Sequence, residues 1–217
     1  MTEHAFEPMR RAMVAGQLRT TGVNDPRVVA AMGRVPRERF VPEERRALAY
    51  ADAIVPLAPG RALSPPMAVG LMLTEARLRG DEHALVVGAA TGYAAALLAE
   101  LVASVVALEE DDALAADARQ ALKGSAVTLV KGPLAKGWAK AAPYDFILID
   151  GAVERVPQAL IEQLADGGRM ALAIADRGVS RLAIGRSVAG AFGLTAFADA
   201  ATAFLPGFAE PRGFSFS

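Results

Sequence analysis

The sequence predicts an α/β fold: a doubly wound, mostly parallel sheet with an N-terminal helical extension and an antiparallel C-terminal edge. Three observations carry this. Ala84-Leu85-Val86-Val87 is a short apolar run that breaks into the small-residue turn Gly88-Ala89-Ala90-Thr91-Gly92-Tyr93, then into an alanine- and leucine-rich segment ending near Leu101: strand, turn, helix. Ser104 to Leu108 is a second apolar run, and it ends on Glu109, about 20 residues past Gly88, where a βαβ unit places an acid beside a ribose. Tyr144 to Asp150 is almost wholly apolar until its last residue, the pattern of a strand covered on both faces.

Composition sets the outer limits. At 217 residues, 53% hydrophobic and 22% charged, the chain carries enough apolar content for one substantial domain. The reading is a single domain over 1–217, with residues 1–60 as the helical extension and 61–217 as the core. A formal net charge of −1 argues against broad binding to nucleic acid or an anionic membrane, and leaves Arg34, Arg37 and Arg39 as a local basic patch. Cysteine is absent, which removes disulfides, a thiol nucleophile and cysteine metal sites, and suits a reducing compartment. His4 and His83 stand alone, without partners at ligand spacing, so they read as surface residues and no metal is expected. No G-x-S-x-G elbow occurs. Glu3, His4 and Glu7 precede any apolar run, unlike the start of a secretory signal. The uncharged run from Ala84 to Ala99 falls short of the roughly 20 residues that span a bilayer. A cytoplasmic location is expected.

In order along the chain, Met9, Met13, Val14 and Leu18 follow helical spacing between Glu7 and Thr21, and Gly22 supplies a stop. Asn24-Asp25-Pro26 opens a second helix with a capping side chain and a first-turn proline, and Val28, Val29 and Met32 share one side until Pro36. Phe40-Val41-Pro42 is a break, Glu43 to Ala49 suggests a third helix, and Tyr50 to Pro59 is extended or loop. Met67, Leu71 and Leu78 are spaced for a buried helix face over Ala68 to Leu78. Beyond Glu109 come a helix over Ala113 to Leu122 and a third strand over Ala126 to Val130, with the exit Lys131-Gly132-Pro133-Leu134. The fourth strand ends in Asp150-Gly151. Pro157 to Ala165 makes a helix that Gly167-Gly168 ends, and Arg169 to Ala175 is a fifth strand. Leu194 to Ala201 and Gly213 to Phe216 alternate more weakly around Leu205-Pro206-Gly207-Phe208, which gives the antiparallel edge.

Three positions stand out chemically. The turn from Gly88 to Gly92 lets a ligand approach backbone amides at a helix start, but Ala90 breaks the strict G-x-G-x-x-G pattern, which favours a nucleoside over a dinucleotide. The plainer alternative is that both glycines only close a tight turn. Ser64, directly before Pro65-Pro66, reads as a helix N-cap, a place compatible with contact to a ligand. Asp150 sits at a strand carboxyl end, the edge where open α/β sheets bind ligands, and a loop-capping aspartate is an equal reading.

The chain resembles the protein-L-isoaspartate O-methyltransferase family over nearly its whole length. The resemblance is carried by Met13-Val14-Ala15-Gly16-Gln17-Leu18-Arg19, Val35-Pro36-Arg37-Glu38-Arg39-Phe40-Val41-Pro42, Leu48-Ala49-Tyr50-Ala51-Asp52, Leu63-Ser64-x-Pro66, Val87-Gly88-x-x-x-Gly92-Tyr93, Gly137-Trp138 and Leu164-Ala165-x-Gly167-Gly168-Arg169. It implies a Rossmann-like class I methyltransferase that uses S-adenosylmethionine and releases S-adenosylhomocysteine. The implied reaction methylates the α-carboxyl of L-isoaspartyl residues in damaged proteins or peptides, a protein-repair activity. It further implies that Gly88, Ala89, Ala90, Thr91, Gly92 and Tyr93 run along the cofactor, with Glu109 on the ribose and Glu110, Pro133 and Leu134 beside it. Ser64 would be the catalytic residue at the substrate carboxylate, with Leu63 and Asp150 completing the substrate contacts. Such a reaction needs little: a carboxylate is already ionised at pH 7, and alignment of oxygen, methyl carbon and sulfur supplies most of the acceleration.

The chain departs from the family's pattern at three cofactor positions. Val86 stands where an acid is usual, Ala90 where a glycine is usual and Pro133 where an aspartate is usual. Removing an acid whose partner stays unpaired costs on the order of 1 to 3 kcal/mol each. Glu110 and Asp150 are acids that could substitute. The segment Ile149-Asp150-Gly151-Ala152-Val153-Glu154 and the tail Phe204-Leu205-Pro206-Gly207-Phe208 also differ from the usual pattern. The alternative function is therefore a catalytically weakened or inactive methyltransferase-fold binding protein. A nicotinamide dehydrogenase is disfavoured by Ala90.

Overall fold

The computed structural model of the chain describes residues 3–176 and 178–209. Helix α1 (Glu3–Met13) runs into a π-helical turn, Val14–Leu18, and a 3-10 turn, Arg19–Thr21, and Gly22 at φ +98° ends the run. Helix α2 (Pro26–Arg34) opens as expected, with the Asp25 carboxylate accepting from the N–H groups of Arg27 at 2.8 Å and Val28 at 3.4 Å. The helix expected over Glu43 to Ala49 is a 3-10 segment, Glu43–Leu48, and a second one spans Arg37–Phe40. Pro36 and Pro42 divide this stretch into runs too short to nucleate an α-helix.

Part of the stretch read as extended or loop is paired. Strand β1 (Val55–Ala58) and strand β2 (Arg61–Leu63) form an antiparallel hairpin of their own, outside the main sheet. Helix α3 (Pro66–Ala76) then ends two residues before Leu78 because Arg77 takes the left-handed conformation.

The main sheet is built from β3 (His83–Val87), β4 (Ser104–Glu109), β5 (Val127–Lys131), β6 (Tyr144–Val153), β7 (Leu164–Asp176), β8 (Val179–Val188) and β9 (Ala191–Asp199). Helices α4 (Tyr93–Ala99), α5 (Asp112–Ala121) and α6 (Gln158–Ile161) connect its parallel strands. The order is β5-β4-β3-β6-β7-β8-β9, parallel through β7, with β8 and β9 antiparallel. At the centre Val86 faces Ala107 on one side and Leu148 on the other. Ala84 through Val87 are fully buried, as a continuous apolar run in a sheet covered on both faces requires.

Four boundaries differ from expectation. Strand β6 continues to Val153 through a register shift between Leu148 and Ala152, so Asp150 lies in a bulge instead of at the strand's last residue. The helix expected over Pro157 to Ala165 is four residues long, because β7 already begins at Leu164 and carries Gly167-Gly168 within it. Strand β8 occupies residues where no strand was expected: Arg181, Gly185 and Arg186 break its apolar alternation. Gly185 lies under the Phe192 ring of β9, which leaves no room for a side chain. The antiparallel edge is thus present but composed of β8 and β9, while Gly213 to Phe216 lies outside the described residues.

The core has two layers. One cluster joins Phe6, Met13, Leu18 and Met32 of the extension to Val86, Phe146 and Leu148 of the sheet. The other joins Val87, Leu108, Ile149 and Leu172 to Leu205 and Phe208 of the tail. Among the described residues, no helix is long and apolar enough to cross a membrane.

Candidate active site

The carboxyl ends of β3, β4 and β6 meet at one place, and the residues singled out in the sequence gather there. The chain leaves β3 through Gly88, at φ +78°, whose N–H and that of Ala89 both donate to the Leu108 carbonyl at 3.0 Å. A side chain at Gly88 would collide with Leu205, 2.7 Å from where its Cβ would sit, so the tail covers the bare face of this glycine. Ala90 takes a left-handed φ of +50°, a conformation that costs an L-residue on the order of 1 kcal/mol. The Thr91 hydroxyl donates to the Phe40 carbonyl at 2.6 Å and ties the turn to the extension. Gly92, at φ +99°, precedes α4, whose first residue Tyr93 is buried with its ring edge-on to Phe40.

Glu109 ends β4, fully buried. Its Oε1 accepts from Arg61 Nη1 at 2.6 Å and from the N–H groups of Glu110 at 2.9 Å and Asp111 at 3.0 Å. Its Oε2 accepts from Arg61 Nη2 at 2.7 Å and from the Ala90 N–H at 2.7 Å. Burial alone would raise the pKa of this carboxyl. The hydrogen bonds and charge of Arg61, with the N–H groups of Asp111 and Ala90, outweigh burial and hold it below the ordinary value. Glu109 is therefore an ionised carboxylate. Arg61 in turn loses by burial and gains more from Glu109, with smaller help from Asp150 and Glu110, so its guanidinium stays charged.

Behind this pair lies a second buried arginine. Arg37 donates from Nε to the Ala49 carbonyl at 2.7 Å and from Nη2 to the Ser64 carbonyl at 2.6 Å, and its Cζ sits 4.5 Å from the centroid of the Tyr93 ring. Asp150 Oδ1 and Thr202 Oγ1, both buried, have no hydrogen-bond partner. Burial lifts the Asp150 carboxyl to about 6, against the opposing charges of Arg37 and Arg61. Ser64 is buried in the same wall. It does not cap α3, whose N-cap is Pro65 without any side-chain bond; instead its Oγ accepts from the Ala203 N–H at 3.4 Å. Leu63, just before it in β2, is buried opposite Val55. On the far side Glu110 is exposed and accepts from the Leu134 N–H at 3.4 Å, with Pro133 exposed and Leu134 buried beside it.

Two residues of this site were not singled out as site residues from sequence. Arg37, read as part of a surface basic patch with Arg34 and Arg39, is wholly buried, and Arg34 pairs with Glu100 at 2.8 Å. Arg61 lies in a hairpin far from Glu109 along the chain, and a lone arginine before Ser64 carries no signal of its partner. His83 bridges Ser104 Oγ and the Ala141 carbonyl and stacks on Tyr144.

The family model described as protein-L-isoaspartate(D-aspartate) O-methyltransferase (PCMT) matches residues 9–191, a span that holds Ser64, the glycine turn, Glu109 and Asp150. The chain belongs to the protein-L-isoaspartate O-methyltransferase family. A relative from Rhodopseudomonas palustris (strain HaA2), named protein-L-isoaspartate O-methyltransferase 1, is 41% identical over 182 residues, 82% of this chain and 74% of that one. A solved structure named protein-L-isoaspartate O-methyltransferase superposes with a TM-score of 0.80 at 21% identity; it matches 91% of this chain, which spans 66% of its length. A Plasmodium falciparum structure of the same family name, solved in complex with S-adenosyl-L-homocysteine, superposes at 0.77 with 18% identity, covering 92% of this chain and 97% of that one. Both share the fold of this chain, a class I methyltransferase sheet.

A buried, ionised carboxylate at the end of β4 beside a turn of small residues is the arrangement that receives a ribose, and Leu205 packs on the bare face of that turn. The acceptor positions of Glu109 are filled by five donors, two of them from Arg61.

Proposed function

We propose that the chain is an S-adenosylmethionine-dependent carboxyl methyltransferase that acts on the α-carboxyl of L-isoaspartyl residues in proteins or peptides, in the cytoplasm. The observation that supports it is the position of Glu109, an ionised carboxylate at the ribose end of the glycine turn, in a chain matched to the family across both halves of the site. In this reading the 1–60 extension and the 61–217 core act as one domain. Gly88 to Tyr93 form the wall along the cofactor, Glu109 holds the ribose, and Glu110, Pro133 and Leu134 flank the base. The bound cofactor supplies an electrophilic methyl group. Ser64, held by Arg37 through its carbonyl, presents its hydroxyl to one oxygen of the substrate carboxylate and leaves the other free to attack. Leu63 and Asp150 border that carboxylate. The substrate is already ionised at neutral pH, so these residues orient it and need not remove a proton.

The test is methyl-ester formation on an isoaspartyl peptide with labelled S-adenosylmethionine. Transfer by the parent, absent on the aspartyl peptide and reduced at least tenfold in Ser64→Ala, supports the reading. No transfer from the folded parent at millimolar cofactor counts against it. One observation favours a second reading, a methyltransferase-fold protein that acts by association: Arg61 already occupies the ribose acid.

A further inference from the structure

Arg61 and a ribose ask for the same atoms. A carboxylate offers about four lone-pair sites, and Glu109 already receives five N–H groups, three from the backbone and two from Arg61. The three backbone donors belong to the turn and to the strand end and are fixed by the fold. Arg61 is different. It sits at the start of β2, on a two-stranded hairpin hydrogen-bonded apart from the main sheet. Two ribose hydroxyls donating to Glu109 therefore replace the two N–H groups of Arg61, which must leave.

A buried guanidinium that leaves its carboxylate needs another acceptor close by. Asp150 provides one. It is buried in the β6 bulge next to the exit of β3, whose Ala90 binds Glu109, and its Oδ1 has no hydrogen-bond partner; its charge also acts on Arg61. Arg37 on the other side already has two carbonyl partners and leaves that oxygen untouched.

We propose that Arg61 sets the affinity of this chain for its nucleoside cofactor, occupying the ribose's place on Glu109 and transferring to Asp150 when the nucleoside enters. This deepens the S-adenosylmethionine reading and rests on it. The consequence is arithmetic: the apparent dissociation constant rises in inverse proportion to the fraction of molecules in which Arg61 has left. Arg61 acts beside the motif departures: Val86, Ala90 and Pro133 change single contacts, whereas Arg61 occupies the anchoring acid.

The experiment is calorimetric titration of the full chain with S-adenosylhomocysteine, comparing the parent with Arg61→Gln, Asp150→Asn and the double variant. Arg61→Gln is expected to bind at least tenfold more tightly than the parent. Asp150→Asn alone is expected to bind more weakly, and to have no effect in the Arg61→Gln background. A residue that only supports the fold would weaken binding when replaced, so the direction of change is decisive. Should Arg61→Gln lose its circular-dichroism signature of folding, Arg61→Lys, which keeps the charge but not the two-pronged grip, is judged by the same criterion. A folded Arg61 variant that binds no better than a binding-competent parent overturns the proposal and leaves the cofactor reading standing. An unchanged Asp150→Asn affinity overturns the transfer to Asp150. Absence of binding in parent and variants alike overturns the cofactor reading, and this proposal with it.

Discussion

Asp150 Oδ1 is buried within reach of the charges of Arg37 and Arg61 and bonded to neither. Its carboxyl titrates near 6 in the folded chain against 3.8 when unperturbed, so the folded state holds the proton more tightly. The sign is then fixed: its contribution to stability is full below pH 3.8 and is lost as pH rises through 6, a change of about 3 kcal/mol. Asp150→Asn is therefore expected to be more stable than the parent at pH 8 by about 1 to 3 kcal/mol, with the gap closing toward pH 4 in urea denaturation. A gap that does not vary with pH would remove burial of the charge as its cause. At this scale the sequence was legible wherever a residue's role depends on its neighbours in the chain. The place of Glu109 at the end of β4 was legible because strand, turn and helix fix its distance from Gly88. Arg61 and Arg37 were not, because their partners come from a hairpin, a strand end and a helix start that only the fold brings together.

At the scale of elements, α2 and α3 cross at Gly70. A Cβ there would stand 2.9 Å from Val23 Cγ2 and 3.1 Å from Met32 Sδ, so this glycine is set by close approach. Alanine in a helix interior usually gains about 0.5 to 1 kcal/mol over glycine, but overpacking a tight core costs about 1 to 3 kcal/mol. Gly70→Ala is expected to lower stability by about 1 kcal/mol, seen as a drop in Tm of about 2 to 4 °C; a rise would show that Val23 and Met32 yield freely. The βαβ unit was placed to within a residue or two because its apolar runs are long and its turn is rich in small residues. Strand β8 was missed because only Leu182 to Gly185 are buried in it, and two arginines and a glycine interrupt the pattern. The overlong helix at 157–165 has the opposite cause: apolar periodicity continued past Ile161 into β7, and a short run does not distinguish the two.

Across the whole molecule, the extension and the sheet share one apolar cluster, with Met13 and Met32 in the same layer as Val86 and Phe146. The order of the strands has a further consequence, for the path by which the chain folds. The centre of the sheet is assembled from distant pieces, with Ala84 beside Phe146, whereas β8 and β9 are joined by Ala189-Gly190, both at positive φ, the tight reversal that suits a hairpin. Closing a long loop costs more entropy than closing a short one, and contacts distant in sequence slow folding. In stopped-flow kinetics, Ile184→Val, in the hairpin that closes cheaply, is expected to slow refolding, while Val86→Ala mainly speeds unfolding; the reverse pattern would place the nucleus at the centre of the sheet. A ribosome therefore releases β3 and β4 long before β6 exists, and the edge of β3 that β6 covers stays apolar and unpaired until that strand has been made.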